Sequence, residues 1–154
     1  MVKLIIPKLE DLWFREDLLK DERTMSFNHN YGGTIEFSCD KWESWFNRWI
    51  NVCDNKRFYR YVVNDKNEFV GEVAYHYDEE IKGYIVSVII HAKYRGRGYG
   101  SDALDLLCES AKDNGVSILY DDIAIDNPSV KMFLNRGFIK AKQVENKMWF
   151  YKML

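Results

Sequence analysis

The chain has 154 residues, 47% hydrophobic and 30% charged, with a formal net charge of -2. That length fits one domain, residues 1–154, around one core, and that apolar share excludes global disorder. The charge balance argues against a nucleic-acid surface, which needs clustered Lys and Arg, and scattered His29, His76 and His91 argue against a metal site.

Residues 3–7 (KLIIP) read as a short strand closed by Pro7. Residues 9–25 carry Leu9, Leu12, Trp13 and Leu19 at roughly helical spacing. Residues 26–37 form a polar loop around Gly32 and Gly33. Ser38 is a candidate N-cap for a second helix, whose stripe of Trp42, Trp45, Phe46, Trp49 and Ile50 reads as core packing. Two β-rich runs flank Asn64-Asp65-Lys66-Asn67, a hairpin signal. Residues 84–92 (YIVSVIIHA) are a third run, apolar enough for burial on both faces. Ala103, Leu104, Leu107, Cys108 and Ala111 then mark a helix, with Asp102 and Asp105 near its positive end and Asn114-Gly115 as its stop. Residues 117–125 (SILYDDIAI) are a central strand, residues 127–138 a short helix stopped at Gly137, and residues 138–143 and 147–154 two closing strands. The order is β-α-α-β-β-β-α-β-α-β-β. It predicts an α/β fold whose mixed sheet is antiparallel except for one crossover over residues 90–117.

Arg95-Gly96-Arg97-Gly98-Tyr99-Gly100 lies between the apolar run and the helix that follows. Glycines weaken a helix's opening turn, so they need another reason to be there. A buried strand, a glycine turn and a helix start together make an anion site. The glycines let backbone N–H groups converge, and the helix start adds unpaired N–H groups and a positive dipole end. Arg95 and Arg97 would add charge-assisted contacts. The expected ligand is a phosphate or diphosphate held by residues 95–101; a turn rich in glycine only for packing is the competing reading. A P-loop is disfavoured because no GK[ST] follows. The glycine spacing is also wrong for a dinucleotide fingerprint, although Tyr120-Asp121-Asp122 could mimic its acidic part.

The loop resembles the R/Q-x-x-G-x-G/A segment of the GNAT N-acetyltransferases. Asp126-Asn127-Pro128-Ser129, with Phe133 and Gly137-Phe138 behind it, is similar to that family's N-x-x-[AS] and G-F segment. The order of elements agrees from the first strand to the last. The resemblance implies a GNAT-like, mostly antiparallel sheet with helices on both faces, and acetyl-CoA as cofactor. Backbone amides of Arg97, Gly98, Tyr99, Gly100 and Ser101 would cradle the pyrophosphate, with Arg95 and Gly96 in the same loop. Val88, Ile89 and Ile90 would pair with the pantetheine arm as an added strand, and the Ile90 N–H would polarise the thioester carbonyl. Asn127 would touch the arm from the other side. Phe133, also placed in the cofactor site, stands where the family often has a tyrosine that protonates the leaving thiolate. It has no proton to give, which leaves Tyr120, Tyr151 or water for that step.

Attack on a thioester needs a neutral amine, and a carboxylate commonly removes the proton. Glu72, mid-strand beside the third run, is the candidate base. Asp121 and Asp122 could attract a cationic acceptor, although a hydrated strand-end pair is the competing reading. His91 reads as structural, and nothing selects Ser87. In the family the loop between the first helices shapes the acceptor pocket, which places acceptor contacts at Asn28, Tyr31 and Glu36. No cysteine lies near the loop with a histidine partner, so transfer is expected by direct attack in a ternary complex. The acceptor is a small-molecule or peptide amine, with a small cationic amine such as a polyamine or aminoglycoside favoured. A non-catalytic acyl-CoA sensor, which Phe133 supports, and a nucleotide-binding domain are the rival functions. The chain is expected in the cytoplasm as a monomer or homodimer. Its odd cysteine count suits a reducing compartment, its N-terminal apolar run is too short for a signal peptide, and no run could span a bilayer.

Overall fold

A computed structural model describes residues 1–52 and 54–154, apart from the side chains of residues 29–31. The strands among them are β1 (Val2–Ile5), β2 (Arg57–Asn64), β3 (Phe69–Asp78), β4 (Gly83–Ile90), β5 (Ile118–Ala124), β6 (Ile139–Val144) and β7 (Lys147–Met153). The α-helices are α1 (Trp13–Lys20), α2 (Trp42–Phe46), α3 (Tyr99–Asp113) and α4 (Ser129–Asn135). This is the order that the periodicities predict. The sheet runs β1-β2-β3-β4-β5-β7-β6, and only β4 and β5 are parallel neighbours. A parallel pair needs a long crossover, which α3 provides.

Side chains alternate across a strand, so the sheet feeds two cores. On one face Val73, Val86, Leu119, Ile123 and Phe150 pack against α3 and against Phe133 of α4. On the other, Tyr59, Tyr61 and Ala74 pack against α1 and against Trp45 of α2. Helices therefore cover both faces.

Two helices depart from their predicted stripes. A 3₁₀ turn, Leu9–Asp11, precedes α1 and is wound more tightly than an α-helix. Leu12, Phe14 and Leu18 consequently face the core, while Trp13 is 53% exposed. The second helix is α-helical only over Trp42–Phe46 and then widens into a π-type turn over Asn47–Asn51. A stripe drawn at 3.6 residues per turn does not survive such widening, so Trp45 is buried and Trp42, Phe46, Trp49 and Ile50 only partly so. All five still pack on the core. Ser38 is the N-cap of the 3₁₀ turn Cys39–Lys41 that leads into α2, but its hydroxyl caps no N–H and is hydrogen-bonded to Glu36 and Asp40 instead.

At Gly71 of β3 a Cβ would lie 2.3 Å from the Ile89 carbonyl oxygen of β4. Backbone cannot step aside without parting the two strands. Gly71→Ala is expected to cost about 1–3 kcal/mol through overpacking, read as a lower urea midpoint.

Candidate active site

β4 and β5 pair only at Tyr84 with Leu119 and at Ile85 with Tyr120. Beyond those rungs they diverge, and a cavity of about 550 Å³ occupies the wedge between them. Val86, Ser87, Asp121 and Asp122 line its floor, where the strands begin to part; the glycine loop lines its mouth.

The open edge of β4 belongs to Val88 and Ile90. The His91 N–H donates to the Val70 carbonyl at 2.9 Å, and bonded rungs alternate along an antiparallel ladder. Ile89 and Glu72 therefore form a bonded rung. Val88 and Ile90, opposite Val73 and Gly71, turn their N–H and C=O groups away from β3 and towards the wedge. A flexible chain bearing amides can lie along that edge as a strand would.

At the mouth, Gly96 and Gly98 have φ of 80° and 82°, a left-handed conformation that costs other residues roughly 1–2 kcal/mol. Gly98 is the N-cap of α3, and no side chain caps the helix. The Asp102 N–H to Gly98 carbonyl bond, at 3.1 Å, is the first of the helix ladder. The N–H groups of Tyr99, Gly100 and Ser101 precede it, and those residues line the cavity. Gly100 lets the helix start sit tight: a Cβ there would lie 3.1 Å from the Met132 sulfur and 3.6 Å from Ile90 Cγ1. Amide donors at the positive end of a 15-residue helix, continuous with an open strand edge, fit a diphosphate joined to a pantetheine arm.

Both arginines have protein partners of their own, and Arg95 lines the mouth of the cavity. The Arg95 guanidinium donates to the carbonyls of Ile90 (3.2 Å), Arg23 (3.3 Å) and Thr24 (2.6 Å). It thereby ties the segment after α1 to the end of β4 and holds Met25, Phe27 and Asn28 over the cavity. Arg97 is exposed, lies 5.8 Å from the Tyr94 ring centroid and does not line the cavity. What the loop turns towards the cavity is main-chain donors, the positive end of α3 and the Arg95 side chain.

The floor carries groups that the sequence reading left aside or undervalued. Asp121 stands between Leu119 and Ile123 on the α3–α4 face, partly buried, and lines the cavity. Burial, reinforced by the charge of Asp122, pushes its carboxyl well above the usual range. It is no hydrated strand-end charge. Asp122 takes the opposite face, with Lys147 Nζ at 4.0 Å. His76 of β3 shares that face, opposite Ile85 and edge-on to Trp49 at 6.2 Å. Burial lowers its pKa, which keeps the imidazole neutral near pH 7.

Of the other expected residues, Phe133, Asn127 and Asn28 line the cavity. Asn127 Oδ1 accepts from the Ser129 N–H at 2.9 Å and from its hydroxyl at 2.8 Å, fixing the start of α4. The Asn28 amide donates to the Gly33 carbonyl at 2.7 Å and closes the loop before α2. The Tyr31 side chain and Cys53 lie outside the described residues. Glu36 is not at the cavity: it is exposed and bound to Lys41 and Ser38, whose hydrogen bonds pull its carboxyl down to about 2. Glu72 is not there either; it is buried in an ion pair with Arg15. Neither Tyr120 nor Tyr151 lines the cavity. His91 accepts from the Lys93 N–H at 3.3 Å and lies 3.6 Å from Asp17, a structural place at the strand end. Among the described residues no acidic, histidine or cysteine cluster could hold a metal, and no helix is long and apolar enough to cross a membrane.

A donor cradle at a helix start beside an open strand edge is the arrangement of a CoA-dependent acyltransferase. The chain belongs to the acetyltransferase (GNAT) family, whose sequence model matches residues 14–138. It is an N-acetyltransferase that takes its acetyl group from acetyl-CoA. A spermidine N-acetyltransferase from Vibrio cholerae, solved with CoA and spermine, matches with a TM-score of 0.82 at 19% identity, over 99% of this chain and 95% of the other. A GNAT acetyltransferase from Bacillus anthracis matches with a TM-score of 0.76 at 15% identity, over 99% and 94%. No curated protein matches the sequence.

Proposed function

We propose that the chain acetylates a small cationic amine by direct attack on the thioester. The observation that carries this reading is the polar face of the wedge floor, where Asp122, His76 and Ser87 line the cavity opposite the face of α3 and α4. A carboxylate attracts a cation, and a neutral imidazole can take the proton that the amine must lose. The likeness to the spermidine enzyme supports the same class of acceptor. The cofactor, when bound, supplies an activated acetyl group on sulfur. The loop residues Gly96, Gly98, Tyr99, Gly100 and Ser101 would hold its diphosphate, and Val88, Ile89 and Ile90 the pantetheine arm. The Ile90 N–H, with the Val88 N–H on the same strand edge, would polarise the thioester carbonyl. Asn28 and Phe27 would form the acceptor's lip.

The test is mass-spectrometric detection of acetylated product across polyamines, aminoglycosides and lysine peptides. Polyamines are expected to react fastest; a clear preference for peptides would overturn the small-amine reading. A second result is expected at His76. Its lowered pKa means that kcat/KM should rise through a pH below the ordinary imidazole value of about 6.5 and be level at neutral pH. His76→Gln should lower kcat/KM about 100-fold at pH 7 and flatten that limb, with CoA affinity unchanged by calorimetry.

A further inference from the structure

We propose that Asp121 donates the proton taken up by the departing thiolate, the task for which a phenol is missing at Phe133. The proposal rests on the acetyl-transfer reading above and deepens it. Three placements carry it. First, Asp121 and Phe133 share the α3–α4 face and line the same cavity, so the carboxyl addresses the space that a side-chain acid at Phe133 would address. Second, Asp121 follows Tyr120, the last β5 residue paired with β4, so it lies at the floor of the wedge. A donor held at Gly98 and laid along Ile90 and Val88 would have its reactive end at that floor. Third, Asp121 is the titratable side chain among its cavity-lining neighbours on this face: Val86, Val88, Ile123, Met132 and Phe133 are apolar, and the polar Asn127 and Ser129 are bonded to each other. Tyr94, Arg95 and Tyr99 belong to the mouth, and His76 and Asp122 to the opposite face.

Such surroundings favour the protonated acid, and burial with the charge of Asp122 pushes its pKa in the same direction. The groups that bear on it are few among the described residues. Asp122 adjoins it on β5, and its charge helps to keep Asp121 neutral. Phe150 of β7, directly opposite, is apolar. Lys152, two residues further along β7, faces Leu119. On α3 the titratable side chain in this core is Cys108, whose thiol burial pushes up. None supplies a competing proton at the floor.

The proton count closes. The reacting amine first gives its ammonium proton to solvent and attacks as the free base: its nitrogen bonds to the acetyl carbon, and the carbon–sulfur bond breaks. The Asp121 O–H proton passes to sulfur, and the nitrogen gives up one proton to His76. Solvent then returns a proton from His76 to Asp121, and both groups end as they began.

Asp121→Asn keeps the shape of the neutral acid and removes its proton. With the best amine of the panel at saturation, kcat is expected to fall about 100-fold while CoA affinity stays within about twofold. The acetyl selenoester of CoA releases a selenolate that departs without a proton, so with it the variant should return to within about fivefold of the parent protein. Carbon-13 NMR of the parent protein should show one aspartate carboxyl, absent from the variant's spectrum, titrating far above the others with and without CoA. The proposal is overturned by a variant with the parent's kcat, by an equal loss with thioester and selenoester, or by an Asp121 carboxyl that ionises in the ordinary range. Should no amine react, the acceptor reading fails by itself. Hydrolysis of acetyl-CoA, in which water attacks and the same thiolate leaves, then serves for the same comparison.

Discussion

Glu72→Ala is expected to destabilise the fold by roughly 3–5 kcal/mol, a fall in Tm on the order of 10 °C for a chain of this length. Arg15 Nη1 lies 2.6 Å from both carboxylate oxygens of Glu72, and the Tyr59 hydroxyl also donates to Glu72. The guanidinium carbon sits 4.5 Å from the Trp45 ring centroid, 4.9 Å from that of Phe37 and 5.4 Å from that of Tyr59. Burial works against the Arg15 charge, but Glu72 and Tyr59 outweigh it and hold the pKa above its ordinary value. Without the carboxylate, a cation is left among aromatic rings with no counter-charge, and its Nε already has no hydrogen-bond partner. Replacing both partners, Arg15→Met with Glu72→Leu, is expected to recover most of the loss, because the apolar pair has nothing to desolvate. Equal Tm values for the Glu72→Ala protein and its parent would show that the pair contributes nothing. The consequence for function runs through α1. The pair pins α1 to β3, and the segment after α1 carries Met25, Phe27 and Asn28 at the cavity. A looser α1 should raise KM for the acceptor before it alters CoA affinity.

Glu72 also shows what a linear reading can and cannot see. An acidic residue in a β-rich run beside the proposed thioester strand looks like a base. Its partner is 57 residues away, in a helix whose stripe gives no sign that Arg15 faces inward. Arg95 is a similar case: just ahead of Gly96 and Gly98 it reads as a phosphate ligand, and nothing near it in the chain signals that two of its three carbonyl acceptors lie more than 70 residues upstream, at Arg23 and Thr24. The glycine loop, the parallel crossover and the α3 core face were legible because each rests on a local rule, namely left-handed φ, connection length or a 3.6-residue period. The wedge floor was not. His76, Ser87 and Asp121 come from three strands, and only the early divergence of β4 from β5 brings them to one cavity. Asp121 did carry a signal: it takes the period-2 position between Leu119 and Ile123, where an apolar residue belongs, which marks it as a buried acid.

Gly98→Val is expected to abolish detectable CoA binding while the sheet stays folded. A Cβ at this position meets no protein atom within 4 Å, so crowding inside the protein is not the cause. The backbone is: φ of 82° is a conformation that a β-branched residue adopts only at a cost of about 1–3 kcal/mol. The turn would relax and carry the N–H groups of Tyr99, Gly100 and Ser101 out of their common direction. With parent protein at ligand near 100 times Kd, CoA should add about 2.7 kcal/mol of stability, and the variant should show none of it. Gly98→Asn separates two reasons for that loss, since asparagine tolerates left-handed φ but brings a side chain. Retained affinity in the asparagine variant would mean that loop shape is what the diphosphate needs. Loss in both, with circular dichroism unchanged, would mean that the space above Gly98 is itself occupied by the ligand. A folded valine variant that binds CoA as tightly as the parent would take the diphosphate away from the start of α3, and the wedge would then have to be filled from its other end.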